Sequence, residues 1–198
     1  MTRAVIGGLI GGFLLYLVGF IFWGTPLAGI PFSQADETRS AAVQSALAQN
    51  LTETGTGSYI IPSLGTPGGT TLFGQGPIAT VHFNTGGFPA MDTNSLIQGF
   101  VLALIVGVVM AFALRAAGGA GSTFGERGKV AVLYALAITL WSILGQPVFN
   151  HYGWTYWVYA FVADFIGLTM CGLVIARWFV VDGRVESAPA ADYVPPDL

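Results

Sequence analysis

Charge is what this sequence has least of. Asp, Glu, Lys and Arg together make up 9% of its 198 residues, against about 25% in an ordinary soluble domain. So few charges cannot cover a water-facing surface, so much of the exterior is expected to meet something apolar. The net charge of −3 supplies no basic stripe, which excludes nucleic acid as a partner. A single cysteine, Cys171, excludes an internal disulfide and a cysteine-cluster metal site; in its apolar setting it reads as a small buried hydrophobe. Two histidines, His82 and His151, fall short of the three ligands of a catalytic metal. Neither lies inside an apolar run, where haem ligation between helices would need it. No metal or other cofactor is therefore expected. The glycine-rich 117–125, AGGAGSTFG, has no Walker lysine and follows no strand, so it reads as a loop. No nucleophile–base pair is visible either, and an enzyme is not expected.

What the chain does have is long apolar runs. The first, Ala4 to Gly24, carries no charge and is long enough to cross a bilayer core. It exceeds the roughly 7–15 apolar residues of a signal peptide, so an uncleaved anchor is expected. Further runs cover Ser95–Ala117, Val130–Phe149 and Trp154–Val181, the last interrupted by Asp164 and Arg177. Asp92, Asn94 and Ser95 are candidate caps for the second run. The four-residue turn Asn150–Gly153 makes the third and fourth runs antiparallel neighbours. Gly145-Gln146-Pro147 reads as the end of the third helix rather than a break within it.

Between the first two runs the composition changes. Ser33 with Asp36 reads as a capping box opening a helix that Asn50 ends. Ser58–Ile61 and Ile78–Asn84 read as a strand pair joined by a Gly/Pro-rich loop. Two strands alone are marginal in water and must lean on the helix, a membrane surface or a partner. Asn50-Leu51-Thr52 matches a glycosylation acceptor, a pattern short enough to arise by chance. Arg3, Arg115, Arg127, Lys129, Arg177 and Arg184 fall on one side of a four-span arrangement, and Arg39 alone on the other. The positive-inside rule then places both termini in the cytoplasm. Trp23, Trp154, Tyr156 and Trp157 fall near the opposite boundary, where amphipathic rings prefer to lie.

Two features inside the runs carry the candidate sites. Gly99, Ala103, Gly107 and Ala111 form a small-residue ladder at four-residue spacing, and Gly7/Gly11 and Gly8/Gly12 repeat it in the first run. Such faces let helix backbones approach closely, either within the chain or against another subunit. Val108, beside the ladder, is expected to face lipid. Asp164 lies ten residues beyond Trp154, roughly 15 Å down by helix rise, so near mid-membrane. A carboxylate there must be neutral and hydrogen-bonded, paired, or in a wet cavity. Tyr16, Thr139 and Ser142 are the polar groups at comparable depth. The readings are a hydrogen bond to one of them, a proton or ion relay, or a cation supplied by another subunit.

The segments YIIP at 59–62, GPIATVHFN at 76–84 and FNHYGWTYW at 149–157 resemble those of a loose group of small bacterial inner-membrane proteins with four spans and no assigned function. The resemblance implies a location and no chemistry.

The expected fold is thus all-α membrane, a four-transmembrane-helix bundle with a small external α+β insertion between helices 1 and 2. Residues 1–24 form the first span, 25–93 the external, periplasmic module, 94–181 the remaining spans and 182–198 a disordered cytoplasmic tail. The expected role is an accessory or structural subunit acting through helix packing and the external module. The alternative is a small proton-coupled transporter using Asp164. The expected partners are the lipid bilayer and another membrane subunit or a second copy.

Overall fold

The structure, a computed structural model, describes residues 1–118 and 122–179; the 182–198 tail and Arg184 lie outside them. It is mostly helical. Among the described residues four helical stretches are long and apolar enough to cross a membrane: Thr2–Trp23, Thr93–Ala117, Phe124–Asn150 and Trp154–Trp178. The shortest, at 22 residues, spans about 33 Å, enough for a hydrocarbon core of about 30 Å. The chain divides into a helical unit, Met1–Phe32 with the residues from Thr93 on, and a second unit, Ser33–Asp92.

In the helical unit, α1 (Thr2–Trp23) packs on α4 (Thr93–Ala117) and α7 (Trp154–Trp178), and α5 (Phe124–Thr139) packs on α7. Each of these pairs is antiparallel. Gly8 meets Val108 while Gly12 meets Leu104; Gly11 meets Ile175 while Gly167 meets Leu15; Gly128 meets Leu173 while Gly172 meets Ala131. The chain therefore runs up, down, up, down. Arg3, Arg115, Arg127, Lys129 and Arg177 consequently gather toward one end, and Trp23 and Trp154 lie at the other. The core is rich in small side chains, with Ala111, Ala131, Cys171 and Ala176 fully buried beside the larger Leu114 and Ile175. Large apolar residues such as Phe13, Leu102, Ile105, Val109 and Leu133 point outward, as a lipid-facing surface requires.

Several boundaries differ from the sequence reading. The third spanning helix starts at Phe124, ahead of the apolar run that begins at Val130, because Thr123 and Glu126 form a reciprocal capping box. Gly145-Gln146-Pro147 does not end it. The helix passes through a π-helical turn at Leu140–Leu144 and continues as α6, Gly145–Asn150. Pro147 lacks the N–H that the preceding turn would bond and its ring crowds that turn, a local cause for the altered winding just before it. His151 then adopts a left-handed conformation (φ 54°) and ends the helix. Residues 25–32 belong with the helices: Tyr159 Oη donates to the carbonyls of Phe22 (2.8 Å) and Leu27 (3.1 Å), and the Phe32 ring packs on Tyr156.

The second unit holds α2 (Glu37–Leu51), α3 (Gly69–Gln75) and an antiparallel pair, β1 (Gly57–Ile61) with β2 (Ala79–Phe83). Asp36, rather than Ser33, caps α2, its carboxylate accepting from Arg39 N at 2.9 Å. The connection between the strands is not wholly loop: α3 sits in it, framed by Gly68 and Gly76 at positive φ, a conformation that a side chain would strain. Asn50 lies inside α2 with its amide donating to Ala46 O.

Candidate functional site

The small-residue ladders are divided between two neighbours. Gly8 and Gly12 face α4: a Cβ on Gly12 would strike Ala103 O and lie 2.7 Å from Leu104 Cα. Gly7 and Gly11 face α7, where a Cβ would meet Phe179 and, at 2.8 Å, Ile175 Cδ1. Gly107 is the tightest point. Its Cβ would strike Gly8 O and lie 2.5 Å from Gly12 N, so the two backbones touch there with no side chain between them. Ala103 and Ala111 are buried along the same helix. Val108 is not a lipid-facing neighbour of this ladder: it is half-buried, its Cα against Gly8. Val109 is the residue that points out. A heptad-like count cannot separate two neighbours 100° apart on a helix without knowing where the second packing partner lies.

Gly99 differs from the rest of its ladder. A Cβ there would meet only Tyr16, at 4.0 Å, and one on Gly19 of α1 would meet nothing. Both glycines line a groove of about 490 Å³ between α1, α4 and α7. It runs from Trp23, Gly24 and Ser95 at one end of the bundle down to Tyr16, Leu102 and Asp164. Asp164 is the eleventh residue of α7 and exposed. No residue described here donates a hydrogen bond to it or pairs with it.

The hydrogen bond expected from Tyr16, Thr139 or Ser142 is therefore not formed. Thr139 Oγ1 is buried and donates to Ala135 O at 2.7 Å; Ser142 Oγ donates to Ile138 O at 2.6 Å. Each hydroxyl is satisfied by its own helix, the local bond that competes with any tertiary one. Tyr16 does line the groove, but its ring packs edge-on against Phe100 at 5.3 Å. The structure thus brings Asp164, Tyr16 and Gly99 to one groove and leaves Thr139 and Ser142 out of it.

Some positions went unread in the sequence. Arg127 is 5% exposed, with Nε donating to Ala176 O at 3.3 Å and a terminal nitrogen to Ser122 O at 2.5 Å. A guanidinium there meets the negative end of the α7 dipole. Counting it only as a topology marker hid this role. The Ala131, Ala135, Thr139 series, all buried, is a four-residue ladder as regular as the one in α4. Thr169 Oγ1 is buried without a hydrogen-bond partner among the described residues. His82 Nδ1 lies 2.8 Å from Ser58 Oγ across the strand pair. Among the described residues no three His, Cys, Asp or Glu side chains cluster as a metal site would.

No protein-family model matches the chain, and neither a curated protein nor a solved structure matches it.

Proposed function

We propose that this chain is an accessory or structural subunit of a membrane assembly, anchored by its four apolar helices and docking through residues 33–92. The observation that carries the reading is the surface of that second unit. Gly69 is its one buried residue, while Ile60, Leu72, Ile78, Phe88 and Met91 are exposed, Phe88 at 71%. A two-stranded sheet without an apolar core is marginal by itself. A protein surface that covers these side chains supplies the missing burial, at about 25 cal/mol per Å² of apolar area. The gathering of Arg3, Arg115, Arg127, Lys129 and Arg177 at one end of the helices favours an orientation with both termini in the cytoplasm. The resemblance noted for 59–62, 76–84 and 149–157 favours a bacterial inner membrane, with 33–92 in the periplasm.

Purification in mild detergent tests this. The wild-type chain is expected to elute with a stoichiometric second polypeptide, and Phe88→Ser combined with Ile60→Ser to elute without it. A wild-type chain that elutes alone, at a mass unaffected by these changes, would refute the subunit reading. The second reading, a proton-coupled transporter, draws on Asp164 at mid-helix in an open groove. It requires Asp164→Asn to abolish proton-linked uptake by reconstituted vesicles while the fold persists, since an amide does not titrate.

A further inference from the structure

We propose that the groove between α1, α4 and α7 seats a transmembrane helix of a different polypeptide, one that presents a lysine or arginine to Asp164. The inference rests on the subunit reading and names the contact made inside the membrane. Two independent observations meet in this groove. Asp164 is a carboxylate midway along an apolar helix, exposed to the groove and without a donor among the described residues. A carboxylate in such a place needs a partner, because hydrocarbon supplies none. Gly19 and Gly99 line the same groove and are the glycines of α1 and α4 at which an added Cβ would meet no close neighbour. Elsewhere the glycines of these helices are pressed against backbone or side chains of the same chain. Open glycines beside an unpaired carboxylate provide close backbone approach and a charge to meet.

Charge complementarity selects the occupant. Among the described residues of the helical unit, a second copy of this chain brings no cation to that depth: Arg3, Arg115, Arg127, Lys129 and Arg177 all lie toward the far end of the helices. A symmetric pairing would set one Asp164 against another. An aminolipid carries its ammonium at the headgroup level, roughly 15 Å from Asp164 by helix rise, too far to meet the carboxylate. A basic side chain on a spanning helix arrives at the required depth by construction.

The experiment places a photo-crosslinking amino acid at Leu102, an exposed groove residue, in the full chain in its native membrane. The cross-linked peptide is then sequenced. The expected product is an apolar segment of another polypeptide with Lys or Arg in its middle third. Its yield should fall at least about tenfold in Asp164→Asn, the scale for removing one member of a desolvated charge pair. Gly19→Leu should reduce the yield comparably by filling the groove; a Cβ there finds no described atom of this chain within 4 Å, so the melting temperature should not fall. Exchanging the charges, Asp164→Lys with the partner's basic residue→Asp, should restore the product. Cross-links only to another copy or to lipid, a segment without a basic residue, or a yield untouched by Asp164→Asn would each overturn the proposal. If the stoichiometric complex persists in those cases, the subunit reading stands and the groove assignment alone fails. If the wild-type chain has no partner at all, both fail.

Discussion

Two glycine-to-alanine substitutions in α4, eight residues apart, are expected to have opposite effects on stability. Alanine gains about 0.8–1 kcal/mol over glycine from helix propensity alone. At Gly99 nothing opposes that gain, since the added methyl finds only the Tyr16 ring at 4.0 Å, an ordinary contact distance. Gly99→Ala should therefore be neutral or stabilising by up to about 1 kcal/mol. At Gly107 the methyl would strike Gly8 O and lie 2.5 Å from Gly12 N and 2.7 Å from Gly12 Cα. These are backbone atoms, which cannot rotate aside as a side chain does. Relief requires α1 and α4 to separate by about 1 Å, loosening contacts along the whole antiparallel interface and costing about 1–3 kcal/mol, the scale of overpacking. The propensity gain offsets only part of this, so Gly107→Ala should be a net destabiliser and Gly107→Leu a severe one. Val109→Leu, on an outward face, should be silent. The assay is loss of helicity in mixed detergent titrated with a denaturing detergent, each variant against wild type. Equal midpoints for Gly99→Ala and Gly107→Ala would remove the close α1–α4 contact from the account of this fold.

Three further outcomes are expected. Tyr159→Phe should lower the unfolding free energy in the same titration by about 1 kcal/mol, because it removes the hydroxyl that bonds Phe22 O and Leu27 O; no change would mean that the 25–32 segment is held by its rings alone. Arg127→Met should cost about 1.5–3 kcal/mol, leaving the carbonyls of Ala176 and Ser122 without their charged donor, whereas Lys129→Met should be near neutral. Reporter fusions after residues 60, 122 and 190 should read outside, inside and inside, and an inside signal at 60 would overturn the proposed orientation.

The sequence by itself determined the solvent and the number of spans. Apolar length is a one-dimensional property, and a helix satisfies its own backbone, so a run of about 20 mostly apolar residues declares itself without knowledge of any neighbour. The strand pair was legible for a similar reason: alternation in Ala79, Val81 and Phe83 needs only the pleat. Caps were partly legible. Thr123 and Glu126 carry the full capping-box pattern, yet the glycines before them drew the reading to a loop. What only the tertiary structure decided is which face of each helix meets which neighbour. In water a polar face and an apolar face tell the two sides of a helix apart. Here nearly every side is apolar, so spacing found the small residues but not that Gly8 and Gly12 serve α4, that Gly7 and Gly11 serve α7, or that Gly99 serves neither. Asp164 shows the same limit. Its depth followed from counting residues along one helix, but its hydrogen bonding depended on whether Thr139 and Ser142 would reach across or bond their own turn. Local back-bonding won, because a carbonyl one turn away is always within reach, and the carboxylate was left facing an open groove.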